Sequence, residues 1–504
     1  MDPSYSDYVK HLSREWPGLE PLAEFLTCPH QQPEVKEAGC RIECLQFQED
    51  GNTYYTGLDA DGVVDAILDF TLNSEAAKTA GICILVEDIE PRVINALGGA
   101  LDINPHFFGG HIERSFVEIE KGPPSSHMVS LPSHVGSQNY VNLHYQRPID
   151  LGEKDTQLNI PYHLRLRGNS VRPGRSLPAL FGRNVGFIRS CFSIFHKQIG
   201  DSQWVSIMLM DSICADVLSA PLAKNNPQTD FQTRQVPYRS KRDNQGKILT
   251  FSEFRAKDPP AGSARPISLL DEVARSLQGY ARASTVAPPA YDIFSLSAVP
   301  IKLIIDEWLT YSLIMGRYVK AYEYSIKKAQ NRSGNFESED IIDLYRWRRR
   351  SQQSLHKIHV LKWFVESSSS STKNYRENTL EYQGGALERD IAYLINLIEQ
   401  NRNALEAMIP IITSIIQLLD SRRSTVEAIY VKRLTYIALI FLPLSFVATL
   451  FSMSDFFSID GDHFWIYIAT AVPLLLLVLV ISSSPITTAL AKLNSLFTSK
   501  EKLM

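Results

Sequence analysis

An α/β cytosolic domain followed by a long stalk helix and a two-helix transmembrane hairpin is the fold class that this 504-residue sequence predicts. Three observations carry it. Short runs rich in β-branched and aromatic residues punctuate the region 52–211. An apolar stripe at helical spacing runs from Leu387 to Tyr430 and flows into an apolar span without a Gly or strong turn signal. Two apolar spans, 433–453 and 464–483, are joined by a loop, 454–463, that holds Asp455, Asp460 and Asp462 and no Lys or Arg.

The segment MDPSYSDYVKHLSREW has neither the apolar core of a signal peptide nor the Arg-rich, acid-poor character of a mitochondrial transit peptide, so insertion is expected to rely on the two spans. Six runs then read as strands: GICILVE (81–87), RSFVEIE (114–120), YVNLHYQ (140–146), YHLRLR (162–167), VGFIRSCFSIF (185–195) and WVSIMLMD (204–211). Gly, Pro, Asn and Ser bound them, as they bound strands generally. Between the first two, Ile89, Val93, Ile94 and Leu97 are spaced for a short amphipathic helix that Gly98 and Gly99 are expected to end. This pattern assigns a mixed α/β or α+β domain to 1–290. Within it, 220–266 is rich in Pro, Gln, Asn and alternating charge without apolar periodicity, and reads as a mobile insertion.

Helical patterning returns over 291–328 and 338–365, a cytosolic helical region, and a Ser run at 367–371 is expected to separate it from the stalk helix. From 386 the stripe Leu387, Ile391, Leu394, Ile398, Leu405, Ile409, Ile412, Ile416, Leu419, Val426 and Tyr430 predicts one helix continuous to 453. Such a helix is roughly 100 Å long at about 1.5 Å per residue. Pro410 and Pro443 are expected to kink it, since each removes a backbone donor. Stripes of this kind usually pack against copies of themselves, so self-association is a hypothesis that the stripe supports.

Each span is about 20 residues, the length that crosses a hydrocarbon core about 30 Å thick. A buried hairpin of a soluble domain is the competing reading. After Arg433 neither span contains Lys, Arg, Asp or Glu, so an interfacial helix with one charged face fits poorly. Arg422, Arg423, Lys432 and Arg433 precede the first span, and Lys492, Lys500 and Lys502 come after the second, in the tail 484–504. Basic flanks stay on the cytoplasmic side, so both termini are expected in the cytosol and the acidic loop outside. Trp465 and Tyr467 sit where an interfacial aromatic belt would place them. No organellar address is visible, which leaves the plasma membrane as the default.

Charge and motif content exclude other classes. The balance of 51 basic and 55 acidic residues gives no reason to expect a nucleic-acid partner. All six cysteines lie on the predicted cytosolic side, so reduced thiols are expected. Cys28, His30, Cys40 and Cys44 match no common zinc spacing. His106 with His111, and His356 with His359, come without a clustered carboxylate or nucleophile motif, and no phosphate-cradling Gly loop is present. The chain is therefore expected not to be an enzyme and to need no cofactor. Arg346, Arg348, Arg349 and Arg350 around Trp347 read as a solvated or intersubunit helix face, and the sequon Asn331-Arg332-Ser333 falls on the cytosolic side.

Within the first span Thr435, Ala438, Leu442, Ser445, Thr449 and Ser452 recur at steps of three and four residues, a stripe that is mostly small or hydroxyl-bearing. Two readings compete. Small-residue stripes let membrane helices approach closely. Alternatively, a symmetric ring of such helices lines a narrow pore with hydroxyls and carbonyls.

The stretch VKRLTYIALIFLPLSFVATLFSMS (431–454) resembles the first transmembrane helix of the CorA family of divalent-cation transporters, and the second span and short basic tail resemble its second. LVEDIEPRVINALGGALDINPHFF (85–108), WVSIMLMD (204–211) and IPIITSIIQLLDSRRS (409–424) look like the larger fungal branch of that family. The resemblance implies a funnel-shaped homo-oligomer, a homopentamer, whose central pore is built by the first span. Where the family has Gly-Met-Asn, this chain has Ser452-Met453-Ser454. In the family the Asn carboxamides form a ring that reads the hydration shell of magnesium, an ion that sheds water reluctantly.

The resemblance implies a path lined by Ser445, Thr449, Ser452 and Ser454, a dry constriction at Leu434 and Leu442, and attraction of cations by Asp455, Asp460 and Asp462. It puts Ala428 where the family has a lower pore Asn, and Gln417 where it has a stalk acid, with Asp420 one turn on. The implied function is influx of a divalent cation, magnesium first, with membrane lipid and further copies of the chain as partners. The alternative is a non-conducting, membrane-anchored interaction protein that has kept the scaffold and lost the filter.

Overall fold

The computed structural model describes residues 3–27, 40–48, 53–72, 79–113, 131–153, 163–166, 168–170, 172–177, 182–199, 203–212, 216–219, 230–232, 234–235, 268–283, 292–328, 338–372, 379–452 and 464–482. The chain divides into two compact units, Met1–Asn331 with Ile342–Met408, and Arg332–Ile341 with Ile409–Met504.

In chain order the elements are α1 (Tyr5–Leu12), α2 (Glu20–Thr27), β1 (Arg41–Gln48), β2 (Thr53–Leu58), α3 (Ala60–Leu72) and β3 (Thr79–Glu87). Next come α4 (Pro91–Leu101), α5 (Pro105–Ile112), α6 (Pro132–Ser137), β4 (Tyr140–Glu153), β5 (His163–Leu166) and β6 (Arg172–Ser176). The strands close with β7 (Arg183–Ile199), β8 (Gln203–Met210), β9 (Asp216–Ser219), β10 (Asp230–Gln232) and β11 (Arg234–Gln235). Helices α7 (Leu269–Ala283), α8 (Ile293–Lys328), α9 (Ser338–Thr372), α10 (Thr379–Ser452) and α11 (Phe464–Ser482) complete the order.

The first unit is an α/β layer structure. Its sheet runs β10-β9-β5-β6-β7-β8-β3-β1-β2, and β4 pairs both β7 and β11. Strand β3 pairs β8 in parallel, whereas its other neighbour, β1, is antiparallel. The central strands are apolar on both faces. Ile82, Ile84 and Val86 enter a core with α1 to α5, while Cys83 and Leu85 enter a second core with α7 to α10. A strand covered on both sides needs no polar alternation, which is why GICILVE and WVSIMLMD read as unbroken apolar runs.

The expected strand at 114–120 lies outside the described residues, as does most of 220–266, within which β10 and β11 pair with β9 and β4. Gly98 and Gly99 do not end the helix at 89–97. Helix α4 continues to Leu101 and is capped by Asp102 in the left-handed region, φ 50°. Gly98 serves packing instead: a Cβ there would stand 2.5 Å from the Tyr5 ring, whose hydroxyl donates to the Ile103 carbonyl at 2.7 Å. The Ser run lies in the last turns of α9, which ends at Thr372, and α10 begins at Thr379.

The stalk helix extends from Thr379 to Ser452 with Pro410 and Pro443 inside it. Its apolar stripe divides. Leu387, Ile391, Leu394, Ile398 and Leu405 are at most 2% exposed and so are used within the chain itself, whereas Val426 and Tyr430 are 49% and 64% exposed.

A buried polar network lies inside the first unit. Asp211 accepts from Arg172 Nε at 2.9 Å and from the Cys191 amide at 2.7 Å, and Arg172 also donates to the His111 carbonyl at 2.8 Å. Removing one partner of a buried ion pair leaves an uncompensated charge, so the network holds β6, β7, β8 and α5 in register.

Candidate functional site: the hydroxyl-bearing face of the first span

Among the described residues one helix is long and apolar enough to cross a membrane, within Gly384–Ser452, and its most apolar window is only 11% buried. A core helix of a soluble domain would be largely covered. The second expected span is the helix α11, whose apolar stretch among the described residues is the shorter Trp465–Val480.

Inside the second unit these helices meet. The rings of Phe451 and Tyr467 stand edge to face, centroids 6.1 Å apart. One turn along the same antiparallel register, Val447 and Ala471 are buried at 6% and 3% exposure. Pro443, one turn further, is buried as well.

The contact face fixes where the small-residue stripe lies. Ser445 and Thr449 stand two residues from Val447 and Phe451, about 200° round a helix of 3.6 residues per turn. They face away from α11 and are exposed, as is Ser452. Leu434 and Leu442, on the same side, are 68% and 71% exposed. Thus Leu434, Leu442, Ser445, Thr449 and Ser452 share the face that α11 leaves open, while Ser454, Asp455, Asp460 and Asp462 lie outside the described residues.

The hydroxyls on this face use their protons locally. Ser445 donates to the Leu442 carbonyl at 3.0 Å, Thr435 to the Val431 carbonyl at 2.8 Å, and Thr449 to the carbonyls of Ser445 and Phe446. A hydroxyl whose proton is held by the preceding turn presents its oxygen outward as an acceptor. Such oxygens suit a cation's hydration water, which donates hydrogen bonds.

At the basic flank Lys432 lies 5.8 Å from the Tyr436 ring centroid, and Arg423 pairs with Glu427 at 3.3 Å. Among the described residues no group of three or more His, Cys, Asp or Glu is arranged to hold a metal ion. His111 is a core residue, its Nδ1 2.9 Å from Ser193 Oγ, and burial together with Arg172 holds its pKa well below the ordinary value. His106 packs on Trp16, and His356 and His359 on Trp363. Cys44 is buried and Cys40 half-buried, while Cys28 and His30 lie outside the described residues. In the Arg run, Arg348 pairs with Glu406 at 3.1 Å, and Arg350 turns back over the Trp347 ring at 5.2 Å.

Neither a family-wide sequence pattern nor any curated protein matches this chain. Among solved structures it is similar to the complete structure of the CorA magnesium transporter from Methanocaldococcus jannaschii, with 9% sequence identity and a TM-score of 0.36, covering 87% of this chain and 96% of that one. It is also similar to the full-length CmaX protein, with 12% identity and a TM-score of 0.33, covering 88% of this chain and 98% of that one.

Proposed function

We propose that this chain conducts a divalent cation, magnesium first, into the cytosol through a central pore of a homopentamer whose wall is the Ser445/Thr449 face of the first span. The observation that carries the reading is the orientation of that face, turned away from α11 with its hydroxyl oxygens free to accept. A second support is the resemblance of 431–454 to the first transmembrane helix of the CorA family. In this reading both spans cross the plasma membrane with the termini in the cytosol, and Leu434 and Leu442 form the dry constriction. Ser452 and Ser454 continue the polar lining outward, and Asp455, Asp460 and Asp462 concentrate cations at the mouth. The membrane potential drives entry, since a doubly charged ion gains about 4.6 kcal/mol per 100 mV. No enzymatic step or cofactor is needed.

Rescue of a magnesium-uptake-deficient strain tests this. The wild-type chain is expected to rescue growth, and Ser445→Leu, expressed to the same level in the membrane, is expected to abolish rescue. Failure of the wild type with rescue by Ser454→Asn would overturn conduction by the natural chain and leave the membrane-anchored interaction protein in its place.

A further inference from the structure

Within the second unit, the row of α10 that meets α11 runs on into two basic side chains. Steps of three and four residues keep to one side of a helix, and they lead from Val447 and Pro443 to Ile440, then to Tyr436, and from Tyr436 to Arg433 and Lys432. Continued along both helices, the antiparallel register that sets Phe451 against Tyr467 brings Ser482, where α11 ends, level with Tyr436. Lys432 and Arg433 therefore stand about one turn beyond that contact. Ile440, Tyr436, Arg433 and Lys432 are all exposed. Leu434 stands two residues from Tyr436, about 200° round the helix, so the two cations lie away from the proposed pore wall.

The helix supplies these charges with no counter-charge. Between Asp420 and Asp455 the only acidic residue in the sequence is Glu427, and Arg423 engages it at 3.3 Å. One turn to either side of the cations stand Ile429, Tyr436 and Ile437, which carry none. The Lys432 ammonium lies 5.8 Å from the Tyr436 ring centroid, where the face of the ring attracts the cation but leaves its charge in place. At the cytosolic end of a span such charge meets a leaflet whose surface is negative. A guanidinium fork can take two phosphate oxygens at once and an ammonium a third, while a tyrosine at this depth reaches the headgroup layer with its hydroxyl. Toward the bilayer the same row turns apolar at Ile440, which is 40% exposed.

We infer that Lys432, Arg433 and Tyr436 hold the headgroup of an anionic phospholipid of the cytosolic leaflet, its phosphate on the two cations and an acyl chain along Ile440. The site rests on the reading of 433–453 as a membrane span with its basic end in the cytosol. It is independent of conduction.

Native mass spectrometry of the detergent-solubilised full-length chain tests it by counting lipids retained after addition of phosphatidylglycerol or of phosphatidylcholine with the same acyl chains. The wild type is expected to prefer phosphatidylglycerol by roughly tenfold, since each basic side chain near an anionic surface is worth about fivefold in affinity. Lys432→Gln combined with Arg433→Gln is expected to bring the preference below about twofold. Arg422→Gln combined with Arg423→Gln removes as much charge about 15 Å deeper in the cytosol and is expected to leave the preference in place. Equal retention of the two lipids by the wild type, a preference unchanged in the Lys432/Arg433 variant, or equal losses in the two double variants would overturn the site. Alkaline carbonate extraction reads the span separately: release of the chain from membranes would overturn the spanning reading and the lipid site with it, whereas a retained chain without lipid preference would overturn the site alone.

Discussion

Gly98 and Gly99 are neighbours with opposite tolerances. A methyl at Gly98 meets the Tyr5 ring at 2.5 Å, whereas one at Gly99 meets nothing within 4 Å. Gly98→Ala is expected to destabilise the chain by about 1–2 kcal/mol, the overpacking cost exceeding the helix gain, while Gly99→Ala stabilises it by about 0.5–1 kcal/mol. Chemical denaturation followed by near-ultraviolet circular dichroism reads both, and equal effects would contradict the packing role. Asp88 gives a pH-dependent prediction. Its backbone is left-handed at φ 57°, and its carboxylate accepts from the Asn169 amide at 2.9 and 3.0 Å. Burial, against that amide and with help from Asp211, pushes its pKa up to about 6 from 3.8. The folded state then holds the proton more tightly than the unfolded chain, so this contribution is complete below about pH 4 and is lost as pH rises to about 6. The loss is on the order of 3 kcal/mol. Asn keeps the left-handed backbone without titrating. The difference in stability between wild type and Asp88→Asn should therefore change across that window, and a flat difference would refute it.

At the scale of elements, α10 shows how one pattern serves two environments. The repeat from Leu387 to Tyr430 is uniform in sequence, yet its first part is covered by the chain's own helices and its last part is exposed. Periodicity reveals that a face is apolar and is silent about what covers it. The hydroxyl stripe was legible for the same reason, since Ser, Thr and Ala at helical spacing announce a face. Which way that face turns depended on the Phe451–Tyr467 contact, a pairing between helices that no local spacing encodes. The central strands were legible from their apolar runs, whereas β1 and β2 were not, because Glu43, Gln46 and two exposed tyrosines dilute the pattern. Cysteine substitution probes the proposed pore face directly. Ser445→Cys and Thr449→Cys are expected to be blocked by a small cationic thiol reagent applied during magnesium uptake, and Val447→Cys to be unaffected. Equal block at all three positions would remove the distinction between the faces.

At the scale of the whole molecule, the exposed Val426, Ile429, Tyr430, Val431 and Leu434 place apolar surface just ahead of the span's hydroxyl face. Contiguous exposed apolar surface marks an interaction site, and further copies of the chain are the occupant that the pore reading requires. Light scattering of the detergent-solubilised protein is expected to give five times the chain mass of 56.8 kDa, and a monomer at micromolar concentration would end that reading. The parallel ladder between β3 and β8 carries a different implication. It is the seam between β2-β1-β3 and the strands from β4 onward, and the Gln203 side chain bonds the Thr79 carbonyl across 124 positions of sequence. Each half-sheet can pair locally, but the seam waits for a long loop to close, at an entropic cost that later contacts must offset. Until then β3 and β8 each present an unzipped apolar edge, the kind of surface on which chains stick to one another. The step that completes the fold of the first unit is thus also its moment of greatest exposure to aggregation, and the nascent chain's dependence on chaperones should centre on the interval before residue 210 has been made and paired.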